Sequence, residues 1–235
     1  MRGAARTGPK RGIRRPVVFF ANPALAGNAC HHLLNLHLHM ENWLETDESQ
    51  EAVLALQLVS EQLAHLEATG NSHYWTWIII ALHNSLQGFM VLALRGSNNI
   101  NVLTEDCAKK WLAADEHNGG RYPEQKLDNF ANLYKKIKSK PMRMYDNSRV
   151  FQPSGTQDTS VRKLNALRND FVHFVPNGWT IEISDLTQIV NDCLNIISFL
   201  AFDCGNILWH EQVWETKTKD LIEKAKQSVN LVKNV

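Results

Sequence analysis

Apolar positions recur at helical spacing along most of the chain from about residue 45 onward. Ala52, Leu56, Val59, Leu63 and Leu66 form one stripe, which predicts a first helix over 50–68 that Gly70-Asn71 ends. The next helix, from about His73 to Leu94, is apolar nearly all round, including Trp75, Trp77, Ile78, Ile79, Leu82, Leu86, Phe89 and Met90. It is long enough to span a bilayer, but His83, Asn84, Ser85 and Gln87 occupy its middle, where lipid would make them costly. It therefore reads as the long central buried helix of a bundle, with no membrane role, and its polar girdle must find partners.

Further elements follow the same period. A short third helix is predicted over 102–113, then a turn at His117-Asn118-Gly119-Gly120. Pro123 is expected to open a fourth helix reaching about Lys138, with Leu127, Phe130, Tyr134 and Ile137 on one side. Residues 140–157 read as a loop. A fifth helix carries Val161, Leu164, Leu167, Phe171 and Phe174, with Asp158, Thr159 and Ser160 as candidate N-caps and Pro176-Asn177-Gly178 as its stop. After a short alternating segment over 178–183, Ser184 is expected to cap a helix with Asp185 in its first turn. That helix should run past Phe199 towards Gly205 and continue, kinked, to the Lys-rich C-terminal end. The fold class is all-α, a helical bundle.

Composition separates one segment from this body. Residues 1–39 carry five Arg, one Lys and no acidic residue, whereas the rest holds 19 basic and 24 acidic side chains. The segment is broken by Gly and Pro and lacks a sustained period, so residues 1–39 are expected to be an unordered basic tail, with Met40 as the natural start. Residues 40–235 are expected to form a single domain with a C-terminal helical extension. Its acidic body does not suit a nonspecific nucleic-acid binder. The local exception is the basic run from Lys135 to Arg143, which reads either as a solvated helix end or as a phosphate-facing patch. His31, His32, His37 and His39 have no acidic or thiol companions, so no metal site is expected. Cys30, Cys107, Cys193 and Cys204 are far apart and suggest neither zinc nor disulfides, which fits a reducing, cytoplasmic setting. No glycine-rich phosphate loop or nucleophile elbow is visible, and no cofactor is expected.

The segment with the most chemistry is Ala166-Leu167-Arg168-Asn169-Asp170-Phe171-Val172-His173-Phe174. A guanidinium grips phosphate oxygens in a fork and keeps its charge, and an imidazole moves protons near neutral pH. Spacing alone is weak: ten His scattered at random over 235 residues would fall four to six positions after one of the eleven Arg about 1.4 times. Context adds weight, because Asn169 and His173 share a helical face and His173 lies near a helix C-terminus, where the macrodipole favours an imidazolium. The competing reading makes Arg168 a surface cation and His173 a helix cap. His83 and Asn84 either line the same cavity or are satisfied core polars.

The long helices, the polar-centred second helix and Leu167-Arg168-Asn169-Asp170-Phe171-Val172-His173-Phe174 resemble the HEPN (higher eukaryotes and prokaryotes nucleotide-binding) family, in particular its bacterial, mobile-element-associated branch. The resemblance covers about residues 45–205. Its hallmark, Arg followed by a polar residue and then His after four to six intervening residues, is matched by Arg168, Asn169 and His173. The resemblance implies a helical bundle that dimerises and, in active members, a metal-independent endoribonuclease, frequently a toxin or defence effector with an antitoxin partner. In that chemistry His173 would serve as general base or acid, Arg168 would stabilise charge on the phosphate, and Asn169 would orient one of them. The alternative is a noncatalytic HEPN-like module that binds a nucleotide or a partner protein.

Overall fold

The computed structural model describes residues 44–116, 122–173, 178 and 180–232. The tail at 1–39, Met40, the turn at His117–Gly120 and the Pro176-Asn177 stop lie outside the described residues. The compact unit Thr46–Val235 is all-α. Its helices are α1 (Glu48–Thr69), α2 (Tyr74–Arg95), α3 (Glu105–Glu116), α4 (Phe130–Ile137), α5 (Gln157–His173), α6 (Ile183–Ser198) and α7 (Gln212–Val232).

α1 begins where the Asp47 carboxylate accepts from the backbone N–H groups of Ser49 and Gln50, both at 2.8 Å. It ends at Gly70, which takes a left-handed conformation (φ 64°) and donates its N–H to the Leu66 carbonyl. The predicted stripe from Ala52 to Leu66 is buried, and it packs on α2. There the helices approach closely. Ser85 Oγ donates to the Ala52 carbonyl at 3.1 Å, and a Cβ added at Gly88 would lie 2.7 Å from that of Ala52.

α2 is the centre of the bundle, in contact with α1, α4, α5 and α6. It is the one described helix long and apolar enough to cross a membrane, and it is mostly enclosed by its neighbours. Its polar girdle divides. His83 and Ser85 are buried and bonded, whereas Asn84 is exposed and Gln87 half-buried. Trp77 departs from the all-round apolar pattern by being 57% exposed.

Several boundaries differ from the sequence expectation. The third helix starts at Glu105, after a 3-10 turn at Ile100–Val102. Pro123 does not open α4. The backbone of 126–128 is instead engaged by the chain preceding α3, with Thr104 N–H donating to Lys126 O and Asp128 N–H to Val102 O. These bonds hold the strip extended, so the helix waits for Asn129, whose side chain caps it by accepting from Asn132 N–H. Leu127 consequently lies exposed rather than on the buried side.

α5 begins before its expected caps, so Asp158, Thr159 and Ser160 fall in its first turn. Ser160 and Thr156 donate their hydroxyls to the buried Asp192 carboxylate of α6, at 2.5 and 2.7 Å, which ties the start of α5 to its neighbour. Ser184 is likewise inside α6, not its cap. Glu182 holds the N-cap position, and Thr187 Oγ1 donates to the Ser184 carbonyl. Asp185 is in the first turn as expected, paired with Lys163 of α5 at 2.7 Å.

The last expected helix is two. α6 widens into a π-helical turn at Phe199–Asp203, and Gly205 (φ 75°) then turns the chain. The buried Asn206 amide donates to the carbonyls of Ala93 and Met142 and accepts from Ser148 Oγ. The positive φ at Gly205 ends the helix, and the Asn206 side chain then fixes the turn to three other segments. α7 then packs across α1 and α6.

Candidate functional site

α5 carries Arg168, Asn169 and His173 in its last two turns, with His173 as its final residue. The helix is short of apolar anchors at this end. Val161 and Leu164 are buried, but Leu167 and Phe171 only lean against the core, and Val172 is 38% exposed.

Arg168 is half-buried. Its Nη1 donates to Asn169 Oδ1 at 3.1 Å, its Nε is buried without an acceptor, and it forms no ion pair among the described residues. Asp170 faces solvent. His173 is exposed at the helix end. By helical geometry Arg168 and His173 are separated by about 8 Å along the axis and about 140° around it, whereas Asn169 and His173 differ by only about 40°. The structure thus joins Arg168 to Asn169, and keeps Asn169 and His173 on one face. Arg168 and His173 do not converge on a single point within one helix.

His83 approaches from α2 and is 3% exposed. Its Nε2 lies 3.1 Å from Asn165 Oδ1 of α5, and its ring stacks on Phe130 of α4 with centroids 4.0 Å apart. Burial lowers its pKa to about 4, and the nearby Arg168 charge acts in the same direction, against polar contacts from Asn165 and Asn84. At neutral pH it is therefore an uncharged imidazole that can donate from Nε2 to Asn165. His83 is thus buried in the core with Nε2 on Asn165, Nδ1 without a hydrogen-bond partner, and Arg168 as its electrostatic neighbour. Asn84 is exposed beside it.

The sequence reading missed Asn165, which bonds His83, and the cleft of about 440 Å³ that Asn165 lines between α4 and α5. The basic run from Lys135 had been a signal for it. Lys138 pairs with Asp158 at 2.7 Å and sits over the Tyr134 ring, while Lys136 is turned away to Asp128 at 2.8 Å. Among the described residues no group of three or more His, Cys, Asp or Glu is arranged to hold a metal ion. Cys107, Cys193 and Cys204 are buried and free, and burial pushes the Cys193 thiol far above its usual range.

No family model, curated protein or solved structure matches this chain.

Proposed function

We propose that this chain is a HEPN-type endoribonuclease that cleaves RNA without a metal ion, using Arg168, Asn169 and His173. The observation that carries the reading is the pairing of Arg168 with Asn169 one turn before an exposed His173 at the end of α5. RNA supplies its own nucleophile, the 2′-hydroxyl. His173 takes or returns a proton, the Arg168 guanidinium stabilises the growing phosphorane charge, and Asn169 holds Arg168 in place. His83, uncharged and buried, is a positioning residue that fixes α5 through Asn165.

The separation of Arg168 from His173 around the helix favours a composite site. In a homodimer related by a twofold axis, each phosphate would meet imidazoles from both protomers, one as base and one as acid. The exposed Val172, adjacent to His173, supplies apolar surface at that helix end. A role as a toxin or defence effector held by an antitoxin protein belongs to the same reading.

The test is cleavage of structured and unstructured RNA in EDTA. His173→Ala is expected to lower the rate by roughly 10²–10⁴. Arg168→Lys is expected to be poor too, because an ammonium lacks the planar fork. Full activity in His173→Ala overturns the proposal, and RNA binding without cleavage supports the noncatalytic module.

A further inference from the structure

The α4–α5 cleft is walled by Lys135 and Lys138 on one side and by Asp158, Arg162 and Asn165 on the other, over a floor of Phe130, Tyr134 and Val161. Three cations face one carboxylate. Lys138 is committed to that carboxylate, Asp158. Lys135 and Arg162 are exposed and form no ion pair among the described residues; Arg162 reaches only Asp158 O and Thr159 Oγ1 of its own helix, at 3.3 and 3.2 Å. The cleft therefore keeps two cationic charges in excess, in a body that is acidic on balance. On its floor the Tyr134 hydroxyl is buried beside the Asp158 carboxylate, and burial first, then that carboxylate, push the phenol well above its usual range.

Position gives the excess charge a use. Arg162, Asn165, Asn169 and His173 fall within an arc of about 80° on α5 and extend over about 16 Å of its axis. Asn165 belongs both to the cleft wall and to the His83 contact that fixes the helix. A chain of phosphates running along this face would leave His173 and enter the cleft.

We propose that the α4–α5 cleft is a subsite for the phosphate backbone of single-stranded RNA, in which Lys135 and Arg162 hold phosphates away from the bond cleaved at His173. This rests on the ribonuclease reading for the identity of its ligand. The contacts are to phosphate oxygens, so they position the strand without reading bases. The cleft contributes affinity that is sensitive to salt, since each neutralised phosphate releases counterions.

The experiment is fluorescence anisotropy of a short fluorescein-labelled single-stranded RNA against the full chain carrying His173→Ala, across a series of salt concentrations in EDTA. Adding Lys135→Gln and Arg162→Gln together should weaken binding and reduce the slope of log K against log salt by about 1.4, or about 0.7 for each contact. Lys219→Gln, an exposed cation on α7, should change neither. Both cleft substitutions are on the surface, and a thermal melt confirms folding; Lys135→Gln alone should give about half the change in slope. Cleavage by the unsubstituted chain is read in parallel. Loss of slope without cleavage keeps the subsite and removes the nuclease reading. Cleavage with an unchanged slope removes the subsite and keeps the nuclease. An equal loss in Lys219→Gln, or no RNA binding by the parent, overturns the subsite. Inorganic polyphosphate should compete with the RNA for the parent, as contacts made only to phosphate oxygens require, and failure to compete overturns the subsite.

Discussion

His83 Nε2 and Asn165 Oδ1 meet at 3.1 Å across the packed faces of α2 and α5, one helical turn from Arg168. The contact couples the centre of the bundle to the helix that carries the candidate site. Burial keeps that imidazole uncharged, although the Asn165 contact by itself favours the protonated ring.

That burial makes stability depend on pH. The folded-state pKa of His83 is depressed from 6.5 to about 4. Below about pH 6.5 the unfolded chain takes up a proton that the native ring refuses, so this contribution is complete above pH 6.5 and is lost as pH falls towards 4. Its full size is on the order of 3 kcal/mol. Urea midpoints measured from pH 7.5 to 4.5 should fall more steeply for the parent than for His83→Gln, which keeps an amide for Asn165 but does not titrate. Parallel curves would contradict the assignment.

The Asp192 carboxylate gathers Ser160 and Thr156 of the α5 start and Gln188 of its own helix. Asp192→Ala leaves the buried Ser160 hydroxyl without its acceptor, while the exposed Thr156 and Gln188 turn to water, at a cost of about 1–2 kcal/mol. Asp192→Asn retains an acceptor oxygen and should lose less. A midpoint unchanged in Asp192→Ala would mean that α5 does not depend on this tie.

Gly88→Ala should destabilise, although alanine is the better helix former by about 1 kcal/mol. The new methyl would press on Ala52 of α1, and forcing a packed interface apart costs about 1–3 kcal/mol. Urea unfolding decides the sign. A stabilised variant would show that α1 and α2 can separate freely.

Mixing His173→Ala with the parent chain tests the composite site. If each cleavage needs imidazoles from both protomers and the dimers exchange, activity should fall faster than the parent fraction. A linear fall with demonstrated exchange, or a fully active monomer in sedimentation, would leave only a single-protomer site.

The bundle was legible where one face decides burial. The α1 stripe and the apolar α2 follow directly from the period of Leu, Ile and Val, and the left-handed Gly70 ends α1 where turn chemistry predicts. Boundaries failed where distant partners decide them. Pro123 sits in an extended strip because Val102 and Thr104 bind the backbone beyond it, and nothing local announces that. Ser160 looked like a cap because its hydroxyl needs an acceptor, and the acceptor is Asp192, 32 positions away. At the site, Arg168, Asn169 and His173 were legible as a motif on one helix. Asn165 and the α4–α5 cleft were not, since both depend on how α5 meets α2 and α4.

Arg168 and His173 are proposed to cut RNA through its own 2′-hydroxyl. The most direct measurement compares one RNA strand with the same strand carrying a 2′-deoxynucleotide at the cleaved position, both in EDTA, with the product ends analysed by mass. A 2′,3′-cyclic phosphate is expected from the all-RNA strand, no cut at the deoxy position, and the same product at a rate roughly 10²–10⁴ lower from His173→Ala. Cleavage at the deoxy position, or a cut that EDTA abolishes, would contradict it.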